Sequence, residues 1–355
     1  MLPPITFLVD GALDQPTGGY LYDRIVIDGL RDRGASVRVE SLAVGGVVST
    51  ALENGRIALR RAREPRAGLV IVDELCHPRT ALASLIHRVR PRARLVALVH
   101  HLAAGELSGP SARARLILER LLLDAASRVI VTSETTLRAV ASAGVDPARI
   151  RAVLPGCDRL GERCEPPYPD VDGGVRLLFL GSLTPRKGVL ALVHAMSAVA
   201  SRATLTLVGP ADRDPAYAAQ VYAAIARSPA RERIRVTGAL PDEGVAAALA
   251  SHDLFVLPSL HEGFGIAIAE ALAHGLGVIS TTAGAIPEVV RDGREAILVP
   301  PGDERALVAA LVRAVNDPTL RAAMAAAALT RARELPRWKD TQREFADALR
   351  SAAEE

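Results

Sequence analysis

Apolar positions in this chain fall into short unbroken runs separated by longer stretches with helical spacing. Ile5-Thr6-Phe7-Leu8-Val9, Leu69-Val70-Ile71-Val72-Asp73, Arg94-Leu95-Val96-Ala97-Leu98-Val99 and Arg128-Val129-Ile130-Val131 have strand length and many β-branched residues. Near-continuous apolar runs of that length mark strands covered on both faces, as in parallel sheets. Between them the spacing predicts helices over Tyr20–Arg33 and Arg113–Ala126, with Val37–Glu40 returning to strand character. Ser133 or Thr135 supplies the cap of a further helix to Ala143, which Gly144 closes. Strand, helix and strand at this spacing predict a doubly wound α/β domain.

The pattern then starts again. Val175–Leu180, Thr204–Val208, Ile234–Gly238, Asp253–Ser259 and Gly277–Ser280 predict strands, and Ile266–His274 predicts an apolar helix. Another helix runs from Gly188 to Val199, and one begins near Gly284. Arg305–Leu335 predicts a single alanine-rich helix, broken by Pro336-Arg337-Trp338 before a last helix to Glu355. Leu160–Gly174 has prolines, glycines and charges without periodicity, the mark of a linker. The expected division is therefore 1–160, a linker at 161–174, and a second domain at 175–336.

Composition narrows the function classes. A chain of 355 residues with 49% hydrophobic content supports two cores. Aromatics at 3% and a net charge of +3 argue against a nucleic-acid partner. Cys76, Cys157 and Cys164 are odd in number and lack metal-ligand spacing, which predicts reduced thiols and a cytoplasmic location. Met1–Asp10 does not read as a signal peptide, and no apolar run reaches membrane-spanning length. Contact with a membrane surface stays open.

The chemistry concentrates in His261-Glu262-Gly263-Phe264-Gly265-Ile266-Ala267-Ile268-Ala269-Glu270. A strand, a glycine-bearing turn and a helix start form an anion site, because the first helical N–H groups lack partners. Glu270 lies about 7 Å along the helix if it begins near Gly265. Carboxylates would repel a bare phosphate but accept hydrogen bonds from sugar hydroxyls, so Glu262 and Glu270 point to a nucleotide diphosphate sugar. After another strand, Gly181-Ser182-Leu183-Thr184-Pro185-Arg186-Lys187-Gly188 offers glycines and cations suited to a diphosphate, the alternative being a surface Arg-Lys pair. Lysine occurs only at 187 and 339, which favours a specific use for Lys187.

Gly18-Gly19 follows a strand end and serves either as a ligand loop or as a plain turn, and the dehydrogenase fingerprint G-x-G-x-x-G is missing there. His100 and His101 end a strand, where either could bond a sugar hydroxyl or simply meet water; Glu106 follows them. No D-x-D element sits where a metal would bridge phosphates, so metal dependence is not expected.

Glu262 and Glu270, with seven residues between them, resemble the E-x7-E element of retaining glycosyltransferases of the GT-B fold, family 4. The likeness continues through Gly284-Ala285-Ile286-Pro287-Glu288 and Leu298-Val299-Pro300-Pro301-Gly302-Asp303, and Val153–Asp158 is similar to the family's segment at the end of the first domain. The resemblance implies two Rossmann-like domains facing a cleft, the last helix, 337–355, packing back on the first. It implies a hexosyltransferase-type enzyme in which Glu262 and the Gly263, Phe264 and Gly265 amides hold the donor sugar and Glu270 the ribose. Thr237, Gly238 and Leu240 would meet the base, and Gly18, Gly19, Gly181 and Ser182 the phosphate region. Ser182 stands where the family has a basic residue, leaving the second positive charge to Arg186. Glu288 serves as a ligand or as a first-turn dipole partner. The acceptor is a carbohydrate, a lipid-linked molecule or a small metabolite. A non-catalytic nucleotide-sugar binder, a phosphorylase and an epimerase share this architecture.

Overall fold

The computed structural model describes residues 2–42, 55–57, 68–89, 93–102, 109–162 and 174–354. Glu106, Cys164 and most of the expected linker lie outside these residues. The chain divides into two compact units. One comprises Met1–Gln15, Gly19–Pro155 and Lys339–Glu355, the other Pro16–Gly18 and Gly156–Trp338.

The first unit is built on β1 (Ile5–Asp10), α1 (Gly18–Asp32), β2 (Val37–Leu42), β3 (Leu69–Asp73), α2 (His77–Val89), β4 (Arg94–Val99), α3 (Gly109–Ala125), β5 (Arg128–Val131), α4 (Glu134–Ser142) and β6 (Ile150–Ala152). Its strands are parallel in the order β2-β1-β3-β4-β5-β6, with Ile5 in register with both Val37 and Leu69. All five residues of β3 are buried, as a strand under helices on both faces requires. Of the two caps offered by the sequence, Ser133 is the one used: its hydroxyl accepts from the Thr136 N–H at 3.0 Å.

The second unit contains β7 (Val175–Leu180), α5 (Val189–Ala195), β8 (Ala203–Val208), α6 (Pro215–Arg227), β9 (Ile234–Gly238), α7 (Asp242–Ser251), β10 (Leu254–Leu257), α8 (Ile266–Ala273), β11 (Gly277–Thr281), α9 (Ile286–Val289), β12 (Ala296–Val299), α10 (Glu304–Asn316) and α11 (Pro318–Glu334). Its parallel order is β12-β11-β10-β7-β8-β9. Seven of the eight residues of α8 are buried, Glu270 among them, and the rest of the helix is apolar because it is covered.

Two expectations need correction. The helix after Gly188 ends at Ala195 and passes into a 3-10 turn, Met196–Ala198. The alanine-rich stretch is two helices, because Pro318 lacks an N–H and Asp317 caps the new start by accepting from Leu320 N at 2.9 Å.

The last helix, α12 (Trp338–Glu354), is held on the first unit along most of its length. Thr341 donates to Leu154 O at 2.7 Å, Gln342 to Ile25 O at 3.0 Å, and Arg94 to Ala352 O at 3.0 Å. Gly29 on α1 leaves room for Gln342, whose side chain any Cβ there would overlap.

Candidate functional site

In each sheet the strand order reverses once, between β1 and β3 and between β7 and β10. Crevices outside the carboxyl ends of strands at such reversals are where doubly wound sheets bind ligands. The loops at the second reversal are Gly181–Gly188 after β7 and Pro258–Gly265 after β10. They are tied together: Leu260 N donates to Arg186 O at 2.7 Å, and Arg186 Nη1 to His261 O at 2.8 Å. Gly188 makes this possible, with φ of 67° and no room for a Cβ against the Pro258 carbonyl.

Lys187 Nζ then meets Glu262 Oε1 at 2.6 Å, and the Ser259 hydroxyl donates to the same oxygen at 2.6 Å. Arg186 Nη1 lies 3.6 Å from Glu262 Oε2. Burial pushes the Glu262 carboxyl upward, but the Lys187 and Arg186 charges and the two hydrogen bonds outweigh it and bring it down to about 2. Glu262 is held from behind as well. Its carbonyl accepts from Ala285 N at 2.9 Å, in a turn where a Cβ on Gly284 would collide with it. Gly263 and the buried Phe264 lead to Gly265, whose φ of 100° opens α8, a helix whose first N–H groups have no intrahelical acceptors.

Glu270, on the next turns of α8, is buried and pairs with Arg159 rather than with the loop cations. Arg159 Nε and Nη2 reach Glu270 Oε1 at 2.9 and 2.8 Å. Arg159 Nη1 reaches Asp242 Oδ1 at 2.5 Å. Burial raises the Glu270 carboxyl, and Arg159 opposes that only in part. Thr237 and Gly238 end β9 and Leu240 follows, two residues before Asp242; the Thr237 hydroxyl donates to Gly238 O at 2.8 Å. A Cβ on Gly181 would stand 3.5 Å from Lys187 Cε, and Ser182 is buried beside it. Glu288 sits in the first turn of α9, where a carboxylate complements the helix dipole.

The reversal in the first sheet gathers acids. His100 Nε2 lies 3.1 Å from Asp23 Oδ1 and 3.5 Å from Asp73 Oδ2, and the His100 backbone N–H donates to Glu74 Oε2 at 2.8 Å. Glu74 Oε1 is 3.6 Å from His101 Nδ1. The Tyr22 ring meets the imidazole edge-on, 5.4 Å between centroids, and a Cβ on Gly19 would stand 3.3 Å from its Cδ2. Gly18 begins α1. Burial, then repulsion from Asp73, raises Asp23 to about 7; Glu74 rises to about 7 for the same two reasons. Burial works against a charged imidazole at His100, yet Glu74 and Asp23 together raise it well above its ordinary value. Asp23, Asp73 and His100 hold their donor atoms within 4.8 Å of one another. The same imidazole nitrogen, Nε2, faces both carboxylates.

Residues 174–317 match the family model described as glycosyl transferases group 1, and residues 16–156 match that of a glycosyl transferase 4-like domain. The chain belongs to the group 1, family 4 glycosyltransferases. It is 30% identical over 276 residues to a D-inositol 3-phosphate glycosyltransferase of Nocardioides, covering 71% of this chain and 60% of the relative. It is 34% identical over 217 residues to an alpha-maltose-1-phosphate synthase of Mycolicibacterium smegmatis, covering 56% of each. The match thus spans little more than half the length of these relatives. Among solved structures, a sucrose-phosphate synthase from Thermosynechococcus elongatus superposes with a TM-score of 0.79 at 20% identity, covering 98% of both chains. HepE from Anabaena in complex with UDP and glucose superposes at 0.77 and 21% identity, covering 98% of this chain and all of that one. Two parallel six-stranded sheets flanked by helices are the architecture of such GT-B proteins.

For this family member the E-x7-E stretch and Lys187 were visible in sequence, whereas Asp23, Asp73, Glu74, Ser259 and Arg159 were not singled out. An acid closing the buried run Leu69–Asp73 was a usable signal, since buried carboxylates need partners. Cys157 is buried, and burial pushes its thiol up to about 12, so it is no nucleophile at neutral pH. No described helix is long and apolar enough to cross a membrane.

Proposed function

We propose that this chain is a retaining, metal-independent glycosyltransferase that moves a sugar from a nucleotide diphosphate sugar to a hydroxyl acceptor, with a uridine nucleotide favoured. The observation that carries this reading is the ionised Glu262 gripped by Lys187 at 2.6 Å beside the opening turn of α8. Negative charge grows on the leaving diphosphate as the glycosidic bond breaks. Lys187, Arg186 and the first amides of α8 are fixed donors for that charge, and pre-aimed donors stabilise a transition state more than mobile ones. Glu262, acceptor-only when ionised, suits the sugar hydroxyls, and Glu270 suits those of the ribose. Thr237, Gly238 and Leu240 would face the base. In the first unit, His100 and Gly19, in the opening turn of α1, stand at the ligand end of their own sheet, suited to hydroxyl groups. UDP in the HepE complex favours the uridine base, and the relative named for D-inositol 3-phosphate favours a polar acceptor.

Thermal denaturation with UDP, GDP and their glucose and mannose conjugates, in excess EDTA, tests the donor side. UDP and a UDP-sugar should raise the midpoint of the wild type but not of Lys187→Ala. A midpoint that moves only when divalent metal is added would reject the metal-independent mechanism. Proton NMR of the first-formed product reads the anomeric configuration, and inversion would reject retention.

A further inference from the structure

We propose that Arg159 is a positioning residue of the nucleotide site, binding one oxygen of Glu270 and leaving the other to accept the two ribose hydroxyls. This rests on the nucleotide-sugar reading above and adds a residue to it. Both Arg159 contacts, from Nε at 2.9 Å and Nη2 at 2.8 Å, fall on Glu270 Oε1, so Oε2 takes neither. The remaining arm of the guanidinium goes to Asp242, the first residue of α7, two residues after Leu240. One planar side chain thus ties the acid proposed for the ribose to the segment proposed for the base. A lysine ammonium lacks the fork that spans two carboxylates in fixed directions.

Arg159 is itself held in place. The next residue back, Asp158, accepts from Trp338 N at 2.8 Å, and Cys157 N donates to Pro336 O at 3.1 Å. Gly156 has no space for a Cβ against the Trp338 backbone, and Glu162 pairs with Arg337 at 2.8 Å. The guanidinium therefore projects from a segment fixed on both sides, with 16% of the side chain exposed against 3% for Glu270.

Electrically the pair needs this arrangement. Burial disfavours a charged Glu270; Arg159 opposes the burial and Asp242 adds to it, so the carboxyl stays above its ordinary value. His274, at the end of the same helix, bonds the Glu270 carbonyl and not its carboxylate. Without the guanidinium, Glu270 would take up a proton nearer neutral pH, and a protonated acid turns one oxygen into a donor and loses the charge that strengthens its acceptance from the hydroxyls.

The test is calorimetric titration of the full chain with UDP and with 2′,3′-dideoxy-UDP between pH 5.5 and 8. The wild type should prefer UDP by about tenfold or more, since a buried acceptor loses its donors in the analogue. Arg159→Met should lose that preference by weakening UDP alone, most strongly below pH 7, while its affinity for the dideoxy analogue stays at the wild-type level. Arg159→Lys should fall between, and it carries the comparison if Arg159→Met does not fold. Equal weakening of both ligands in these variants would overturn the positioning role, as would an undiminished preference at every pH. A wild type that binds neither UDP nor GDP would overturn the nucleotide reading itself, and this inference with it.

Discussion

The two strand-order reversals are topologically alike and electrostatically opposite. At β7/β10 each buried acid has a cation of its own, Lys187 with Arg186 for Glu262 and Arg159 for Glu270. At β1/β3 two buried acids, Asp23 and Asp73, share the imidazole of His100, while Glu74 accepts from the His100 backbone N–H and faces His101. The consequence lies in the proton affinities. Glu262 is brought down to about 2, while Asp23 and Glu74 rise to about 7. The fold therefore fixes where a ligand can sit, and local charge balance decides which ligand. A site with matched cations suits an anion; one with excess acid suits hydroxyls and a mobile proton.

The largest expected effect comes from breaking the matched pair. Lys187→Ala should lower turnover about 100-fold to 1000-fold, the range for loss of one pre-aimed transition-state donor. Steady-state kinetics with circular dichroism would check this, and near-normal turnover of a folded variant would remove Lys187 from the site. Next is the scaffold behind Glu262. Gly284→Ala forces a Cβ onto the Glu262 carbonyl at φ of 58°, and should cost about 3 kcal/mol of stability in urea unfolding. An unaffected midpoint would mean that the turn relaxes without moving Glu262.

The pH dependence separates the two regions directly. In the first unit Asp23 and Glu74 have folded values raised from 3.8 and 4.5 to about 7. The native state then binds more protons than the unfolded one, so stability falls as pH rises from about 4 through 7. His100, also raised, acts with the same sign: its contribution is present below its ordinary value and lost as pH rises through the raised one. Glu262 acts oppositely, its contribution being lost as pH falls from 4.5 to about 2. Asp23→Asn should flatten the neutral-side slope of midpoint against pH and leave the acid limb in place. An unchanged slope would show that Asp23 is not among the groups holding the extra proton. The smallest effect is a control away from both sites: Asp317→Ala removes a helix cap and should cost about 1 kcal/mol, with turnover unchanged.

Much of this was legible in the residues. The runs Leu69–Asp73 and Leu254–Leu257 are strands because nothing but a doubly covered position tolerates so unbroken an apolar sequence. The break at Asp317-Pro318 was also present as a cap followed by a proline, but the alanine content around it favoured one continuous helix. The His77–Val89 helix escaped for the opposite reason: a short, mixed segment gives periodicity little to work on. Cys76 and Cys157 carried no signal because a buried thiol behaves as a small apolar side chain.

The sequence alone determined the two doubly wound sheets, the glycine turns at their strand ends, and an acid-bearing turn opening a helix. These follow from local hydrophobic period, glycine geometry and helix-end chemistry, all of which act over a few residues. Which charge meets which was decided only by tertiary structure. Lys187 and Glu262 are 75 residues apart, Arg159 and Glu270 are 111 apart, and Asp23 and His100 are 77 apart. Ion pairing falls off over ångströms in space and takes no account of distance along the chain, so parallel strand order, which brings separate loops to one edge, had to set the partners.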